Sequence, residues 1–426
     1  MPARAIVTGT IDVYGRDPDR IRNVPHDHVP PVAFCKTFSN SKRHRAGAVD
    51  AAKTAVNWWS EGAGAREAPG SDALWQTAAM KSVPVSLPAI RNLVETALLA
   101  NGCDEDNAAA VARTVAAAER DGAESHGLFR VPGYVAALRS RRVRGDARPE
   151  LRQVTPAFVH VNANHGFAPL ALETGIPELA RITRELGIGV MSVTDSFHFA
   201  ALWPEVEALA ENDLAGIACV NYASVMAPYG GTRPIFGTNP IAFAWPRHDA
   251  APVVADMATS AAARGELMLA RRAGNSVPPG WGLDASGAPT RDPAAILDGV
   301  QLPFGGHKGY AIALLVELLA ASATGDRFSD EVVDDVQDGG PPPGGELVIA
   351  LSPQLLGGAE TNGRTAAFLD RLGGIPGVRL PGQARHQRRA DGGPRKVNAR
   401  LLERIRELGG RLPGGEAGPA PQAGLE

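Results

Sequence analysis

The stretch Ile188-Gly189-Val190-Met191-Ser192-Val193-Thr194-Asp195-Ser196-Phe197-His198-Phe199-Ala200-Ala201-Leu202-Trp203 changes character midway, and the change sets the fold class. Ile188–Val193 is a short apolar run and reads as a strand. Thr194–Leu202 is polar and small-residued, and Pro204–Asn212 then reads as a helix. Small residues at a strand-to-helix turn let a cofactor approach the backbone, with the free N–H groups of the helix start facing it. A capped helix with a buried His is the other reading of the same residues.

Working outward, the alternation continues. Phe158–Val161 predicts a strand and Leu170–Leu186 a helix; Ala215–Tyr222, Ile241–Trp245 and Val253–Met257 predict strands. Tyr310–Ala323 reads as a long apolar helix and Glu346–Leu351 as a last strand, while Arg271–Asp292 and the Pro/Gly-rich Gly339–Gly345 read as surface loops. Before this region, Ile90, Leu93, Val94, Ala97 and Leu98, then Val111 and Val115, recur at three- and four-residue spacing. Gly102 breaks them into two helices, with Ser86 and Asp104 placed as caps and Pro88 in the first turn. Val131–Leu138 carries a third. The mixture is α/β (mixed α+β). No GxGxxG follows a strand and opens a helix, so the usual dinucleotide-binding explanation cannot be invoked.

The organised text begins near Met80. Residues 1–79 show no sustained period, and Met80 is read as the biological start with 1–79 as upstream read-through; a genuine disordered extension is the other reading. Residues 80–155 form an N-terminal helical part, 156–330 a cofactor- and substrate-binding core, and 331–426 a C-terminal part with a flexible tail. A net charge of -3 gives no basic surplus for nucleic acid. No stretch nears the roughly 18 apolar residues that span a bilayer. Cys35, Cys103 and Cys219 are scattered without CxxC spacing, which fits a reducing cytoplasm and no metal site. Cys219, in Gly216–Val220, reads as core.

Four clusters carry candidate chemistry. In Glu124-Ser125-His126-Gly127-Leu128-Phe129-Arg130, imidazole can exchange a proton and guanidinium can grip a carboxylate; on a helix His126 and Arg130 would share a face. The second is Thr194–Leu202. The third, Tyr229–Pro240, packs three glycines and two prolines around Thr232, Arg233, Thr238 and Asn239 and looks like a shaped loop. The fourth, Leu302-Pro303-Phe304-Gly305-Gly306-His307-Lys308-Gly309-Tyr310, is a Gly-rich loop ending in Lys at a helix start, which can hold phosphate. Taken singly, each also reads as an ordinary turn or helix start.

In order and spacing, these clusters resemble the malate/L-lactate dehydrogenase-like family of NAD(P)H oxidoreductases, a non-Rossmann group. The resemblance runs from about Val85 to Glu407. Besides the clusters above, Asp256-Met257-Ala258-Thr259-Ser260, Ala263-Arg264-Gly265-Glu266 and Pro289-Thr290-Arg291-Asp292-Pro293 carry it. Within the family, His198–Trp203 and Gln301–Gly306 are most similar to the Δ1-piperideine-2-carboxylate/Δ1-pyrroline-2-carboxylate reductases, although His307-Lys308-Gly309-Tyr310 follows the broader family.

The resemblance implies a fold with N-terminal helices and an NADPH-binding sheet domain. It implies His126 as proton donor supported by Ser125 and Glu266, with Arg130 on the substrate carboxylate and Thr238 against the substrate. His198, Phe199, Ala200, Ala201, Leu202, Asp256, Met257, Ala258, Arg264, Gly265, His307, Lys308 and Arg385, in the tail Pro381–Gln387, would surround NADPH, with NADH the other carrier. The implied substrate is a small imino or keto acid and the implied assembly a homodimer. An NAD-dependent 2-hydroxyacid dehydrogenase is the same-class alternative, and an inactive ligand-binding relative the different-class one.

Overall fold

The computed structural model describes residues 82–197, 200–332 and 343–410. The readings made of residues 1–79, Met80 and the final tail lie outside the described residues, as do those of His198 and Phe199.

A short strand β1 (Ser82–Val85) leads into α1 (Leu87–Leu99) and α2 (Glu105–Asp121). Both start where the local chemistry requires: Ser86 accepts from the Ala89 amide at 3.3 Å, and Asp104 from the Asn107 amide at 3.0 Å. Gly122 ends α2 in the left-handed conformation (φ 76°) that glycine adopts without strain. After two single-turn 3-10 segments comes α3 (Val131–Arg139). Ile90, Val94, Val111, Val115, Leu128 and Val135 bury one core between these helices.

The central layer follows: β2 (Glu150–Thr155), β3 (Phe158–Asn162), α4 (Ala168–Leu186), β4 (Ile188–Phe197), α5 (Trp203–Ala210), β5 (Ala215–Val220), β6 (Ile241–Trp245) and β7 (Val253–Met257). Next come α6 (Arg264–Ala273), β8 (Gly282–Leu283), β9 (Pro289–Thr290), α7 (Pro293–Asp298), β10 (Val300–Gln301) and α8 (His307–Glu317). β11 (Pro343–Leu351) returns to the middle of a seven-stranded sheet of order β2-β3-β4-β11-β5-β6-β7. Only β3 and β4 in it pair in parallel, joined by α4 as a parallel pair needs; every other neighbour is antiparallel. Leu179, Ile182, Met191, Val206 and Leu209 build a second core beneath α4 and α5. The chain closes with α9 (Pro353–Gly357), α10 (Thr361–Gly373), α11 (Gln383–Ala390), β12 (Arg395–Asn398) and α12 (Ala399–Leu408). β12 pairs antiparallel with β1, and Leu402, Ile405 and Leu408 complete the core of the N-terminal helices.

Arg271–Asp292, read as a surface loop, instead carries the end of α6 and the strands β8 and β9, with Val277, Gly282 and Leu283 buried. Three further readings need correction. β4 does not stop at Val193 but continues through Phe197. Thr194 and Asp195 lie where the register against β11 jumps from Glu346↔Val193 to Gly344↔Ser196, with Asp195 at φ 51°, so polar residues read as a turn form a bulge. Gly344 and Gly345, read as loop, are buried strand residues of β11. Tyr310–Ala323 is not one α-helix: the regular turns end at Glu317 and Leu318–Ser322 widen into a π-type turn. Cys219 is buried in β5 as expected, and burial pushes its thiol up to about 12, so it stays an unreactive thiol. No helix among the described residues is long and apolar enough to cross a membrane.

Candidate active site

The Ser125–His126 segment is not a helix turn of ordinary kind. Two 3-10 turns, Glu124–His126 and Leu128–Arg130, meet at Gly127, whose backbone sits at φ -93°, ψ -139°. His126 and Arg130 therefore lie in separate 3-10 turns and do not share one helix face. The two side chains are brought together differently. Glu119, buried on α2, accepts the Leu128 amide at 2.7 Å and lies so near Gly127 that an added Cβ would stand 2.1 Å from its Oε1. Any larger residue there would have to displace the Glu119 side chain, whose carboxylate pins the turn. Burial raises that carboxyl, with the nearby Glu124 charge adding to the effect and the Leu128 hydrogen bond opposing it.

Within this turn Ser125 Oγ and His126 Nδ1 are hydrogen-bonded at 3.0 Å, and Arg130 Nε donates to the Ser125 carbonyl at 2.7 Å. One backbone thus holds the imidazole and the guanidinium in fixed relation. Burial pulls the Arg130 guanidinium below its ordinary value, partly offset by Tyr222 and Tyr134, and it stays charged because an arginine starts so high.

These groups open onto a cavity of about 400 Å³. Ser125, His126 and Arg130 share its lining with Thr238, with Ala200 and Ala201 ahead of α5, with Asp256, Met257 and Ala258 at the end of β7, and with Arg264, Gly265 and Glu266 opening α6. Arg385 reaches in from α11. Gly265 is held tight: a Cβ there would meet Ser125 Cβ at 2.9 Å. Glu266 lines the cavity and accepts the Ala263 amide at 3.1 Å, reaching back over its own helix start. His307 and Lys308 do not line this cavity; they open α8 after Gly305 and Gly306, with the Tyr229 ring 5.9 Å from His307.

The helix start of α5 also differs from expectation. The Leu202 and Trp203 amides do not face the cavity as free donors but are taken by Asp256 Oδ2, at 2.8 and 3.1 Å. Burial pushes the Asp256 carboxyl from 3.8 up to about 6; the neighbouring Glu205 adds to this, while the two amides and Arg385 oppose it. A carboxyl raised on folding favours the folded state only while protonated. Its contribution is full below about pH 4 and is lost as pH rises through about 6. Asp256→Asn keeps an acceptor oxygen for both amides and cannot ionise. Its stability relative to the parent should therefore rise by roughly 3 kcal/mol at most between those limits. Urea unfolding of both proteins at several pH values checks this, and parallel curves would reject the assignment.

Several contributors escaped the sequence reading. Trp203 carries the Arg385 guanidinium 4.5 Å from its ring centroid, and Tyr222 and Met268 line the same cavity. Glu119 was missed because its partner amide lies across a helix end. Trp203 closes the His198–Trp203 segment that carries the resemblance, which named no contact for it.

Arg385 Nη1 is buried and has no hydrogen-bond partner among the described residues. A buried guanidinium nitrogen left so would be satisfied by an anionic oxygen, and the residues present fit an anionic nucleotide cofactor on this ground.

Residues 85–405 match the family model described as malate/L-lactate dehydrogenase. The chain belongs to that family. A Δ1-pyrroline-2-carboxylate reductase of Ancylobacter novellus is 46% identical over 313 residues, covering 72% of this chain and 91% of the relative. A Δ1-pyrroline-2-carboxylate/Δ1-piperideine-2-carboxylate reductase of Pseudomonas aeruginosa is 44% identical over 310 residues, covering 72% and 93%. The crystal structure of Δ1-piperideine-2-carboxylate reductase from Pseudomonas syringae pv. tomato superposes with a TM-score of 0.73 at 40% identity, covering 76% of this chain and 99% of that one. The chain is accordingly an oxidoreductase, built on a mixed α/β fold with a mixed central sheet.

Proposed function

We propose that this oxidoreductase reduces cyclic imino acids, Δ1-piperideine-2-carboxylate to L-pipecolate and Δ1-pyrroline-2-carboxylate to L-proline, using NADPH. The observation that carries the reading is the single cavity shared by the Ser125–His126 pair, Arg130 and the partnerless Arg385 Nη1. The names of relatives 40–46% identical support the substrate class.

Arg130 takes the substrate carboxylate, and Thr238 lies against the ring. Asp256–Ala258, Arg264-Gly265 and Arg385 surround NADPH, which supplies hydride when bound. As the imine carbon gains the hydride, the ring nitrogen gains a pair of electrons. His126 holds the proton that this nitrogen needs, and Ser125 fixes the imidazole through Nδ1. C=N plus hydride plus proton gives CH–NH, so the step balances with one acid group. Glu266, in the same cavity wall, stabilises the protonated ring. The same reading places the enzyme in the cytoplasm, in proline metabolism, as a homodimer. Exposed Leu314, Leu315 and Leu318 along α8 and the turn after it support such an assembly.

Arg130→Lys keeps the charge and loses the planar fork. KM for the imino acid should rise roughly tenfold, the equivalent of about 1.4 kcal/mol, with a smaller change in kcat. Unchanged KM would remove the carboxylate role. The reaction itself is tested by product: incubation with Δ1-piperideine-2-carboxylate and NADPH should give L-pipecolate in step with cofactor oxidation. Absence of pipecolate would reject the reading.

A further inference from the structure

A second cavity, of about 790 Å³, adjoins the first: Arg130 and Met268 line both. Its charge is lopsided. Arg272 of α6, Lys396 of β12, and Arg400 and Arg404 of α12 join Arg130 in its wall, against only Glu119 and Glu124. Glu119 is engaged with the Leu128 amide. Arg400 and Arg404 stand four residues apart on one helix face, where like charges repel. Arg404 reaches Glu407 at 3.5 Å, an exposed contact of little strength. Arg272, Lys396 and Arg400 form no ion pair among the described residues.

Phe129 orders this wall. The Arg272 guanidinium lies 4.5 Å from its ring centroid and that of Arg130 lies 5.6 Å away, so one ring holds two cations at the boundary of the two cavities. A concave, low-dielectric surface of one sign concentrates counter-ions and speeds their capture.

We propose that this second cavity is a vestibule that collects small carboxylate anions and delivers them to Arg130, with Arg272, Lys396, Arg400 and Arg404 supplying the field. The proposal rests on the carboxylate role of Arg130 given above, and applies whether the acid is an imine or a ketone.

The test uses the whole protein and the double variant Lys396→Ser/Arg400→Ser, two exposed positions away from the His126 cavity. The probe is pyrrole-2-carboxylate, a flat carboxylate that accepts no hydride, titrated at low and high NaCl beside NADPH alone. The variant should bind the probe roughly tenfold more weakly at low salt, the lower end of what a charged cleft contributes. Its salt dependence should be shallower than the parent's, NADPH affinity unchanged, and kcat at saturating substrate unchanged. Equal probe affinity and equal salt dependence in the two proteins would overturn the vestibule. So would a loss confined to NADPH, which would make the cavity a cofactor site, and so would a parent that binds no probe. If the parent binds the probe but turns over no imine, the proposed reaction fails while the vestibule stands.

Discussion

Replacing His126 by Ala lowers kcat by about two to four powers of ten, the range that follows loss of a positioned acid–base group. The effect belongs in kcat because the imidazole serves the nitrogen that gains electrons during hydride addition, while Arg130 and the NADPH-side residues still bind. NADPH affinity, read by fluorescence titration, should therefore be retained. Ser125→Ala, which removes the 3.0 Å partner of Nδ1, should lower kcat less, since the ring remains present but less fixed. Near-parental turnover in His126→Ala would remove this residue from the mechanism.

The largest expected loss of stability lies away from the chemistry. Arg389 on α11 donates to both oxygens of Asp121, at 2.8 and 2.6 Å, and to both oxygens of Glu207, at 2.8 and 2.6 Å. Both carboxylates are buried, at 3% and 6% exposure, so the guanidinium is what makes their charge tolerable. Burial alone would raise the Asp121 carboxyl; hydrogen bonds from Arg389 and Arg120 outweigh it and hold the group below its usual value. Arg389→Met should thus strip the buried Glu207 carboxylate of its guanidinium, leave Asp121 with Arg120 alone, and cost about 3–5 kcal/mol in urea unfolding. Glu95→Ala, which breaks the exposed Arg91–Glu95 pair, should cost well under about 1 kcal/mol. A loss in Arg389→Met no larger than in Glu95→Ala would contradict this account. Because α11 also carries Arg385 into the active cavity, the same variant should weaken NADPH binding.

What the sequence made legible was what is decided within a few residues. Ser86 and Asp104 cap their helices because an N-cap side chain bonds an amide three residues ahead. Ile241–Trp245 and Val253–Met257 form strands with the expected limits because each apolar run is short and sharply bounded. The site residues were nameable through motif order, and the fold gathers Ser125, His126, Arg130, Thr238, Asp256, Gly265, Glu266 and Arg385 around one space. Their contacts were not legible. That Asp256 would occupy the α5 amides depends on two segments more than fifty residues apart meeting, and no local pattern encodes it. The Gly127 break in the His126 turn is set by Glu119 from the preceding helix. The bulge at Asp195 depends on register against β11, which is distant in the chain. Helices α9 to α12 and strand β12 went unread, although β12 and α12 close the N-terminal core.

The most direct test of the account is a side-by-side measurement of kcat/KM for Δ1-piperideine-2-carboxylate, Δ1-pyrroline-2-carboxylate, pyruvate and oxaloacetate, each with NADPH and with NADH. The expected result is the highest value for a cyclic imine with NADPH, lost in His126→Ala. Efficient reduction of pyruvate or oxaloacetate with NADH, beside no turnover of either imine, would contradict it.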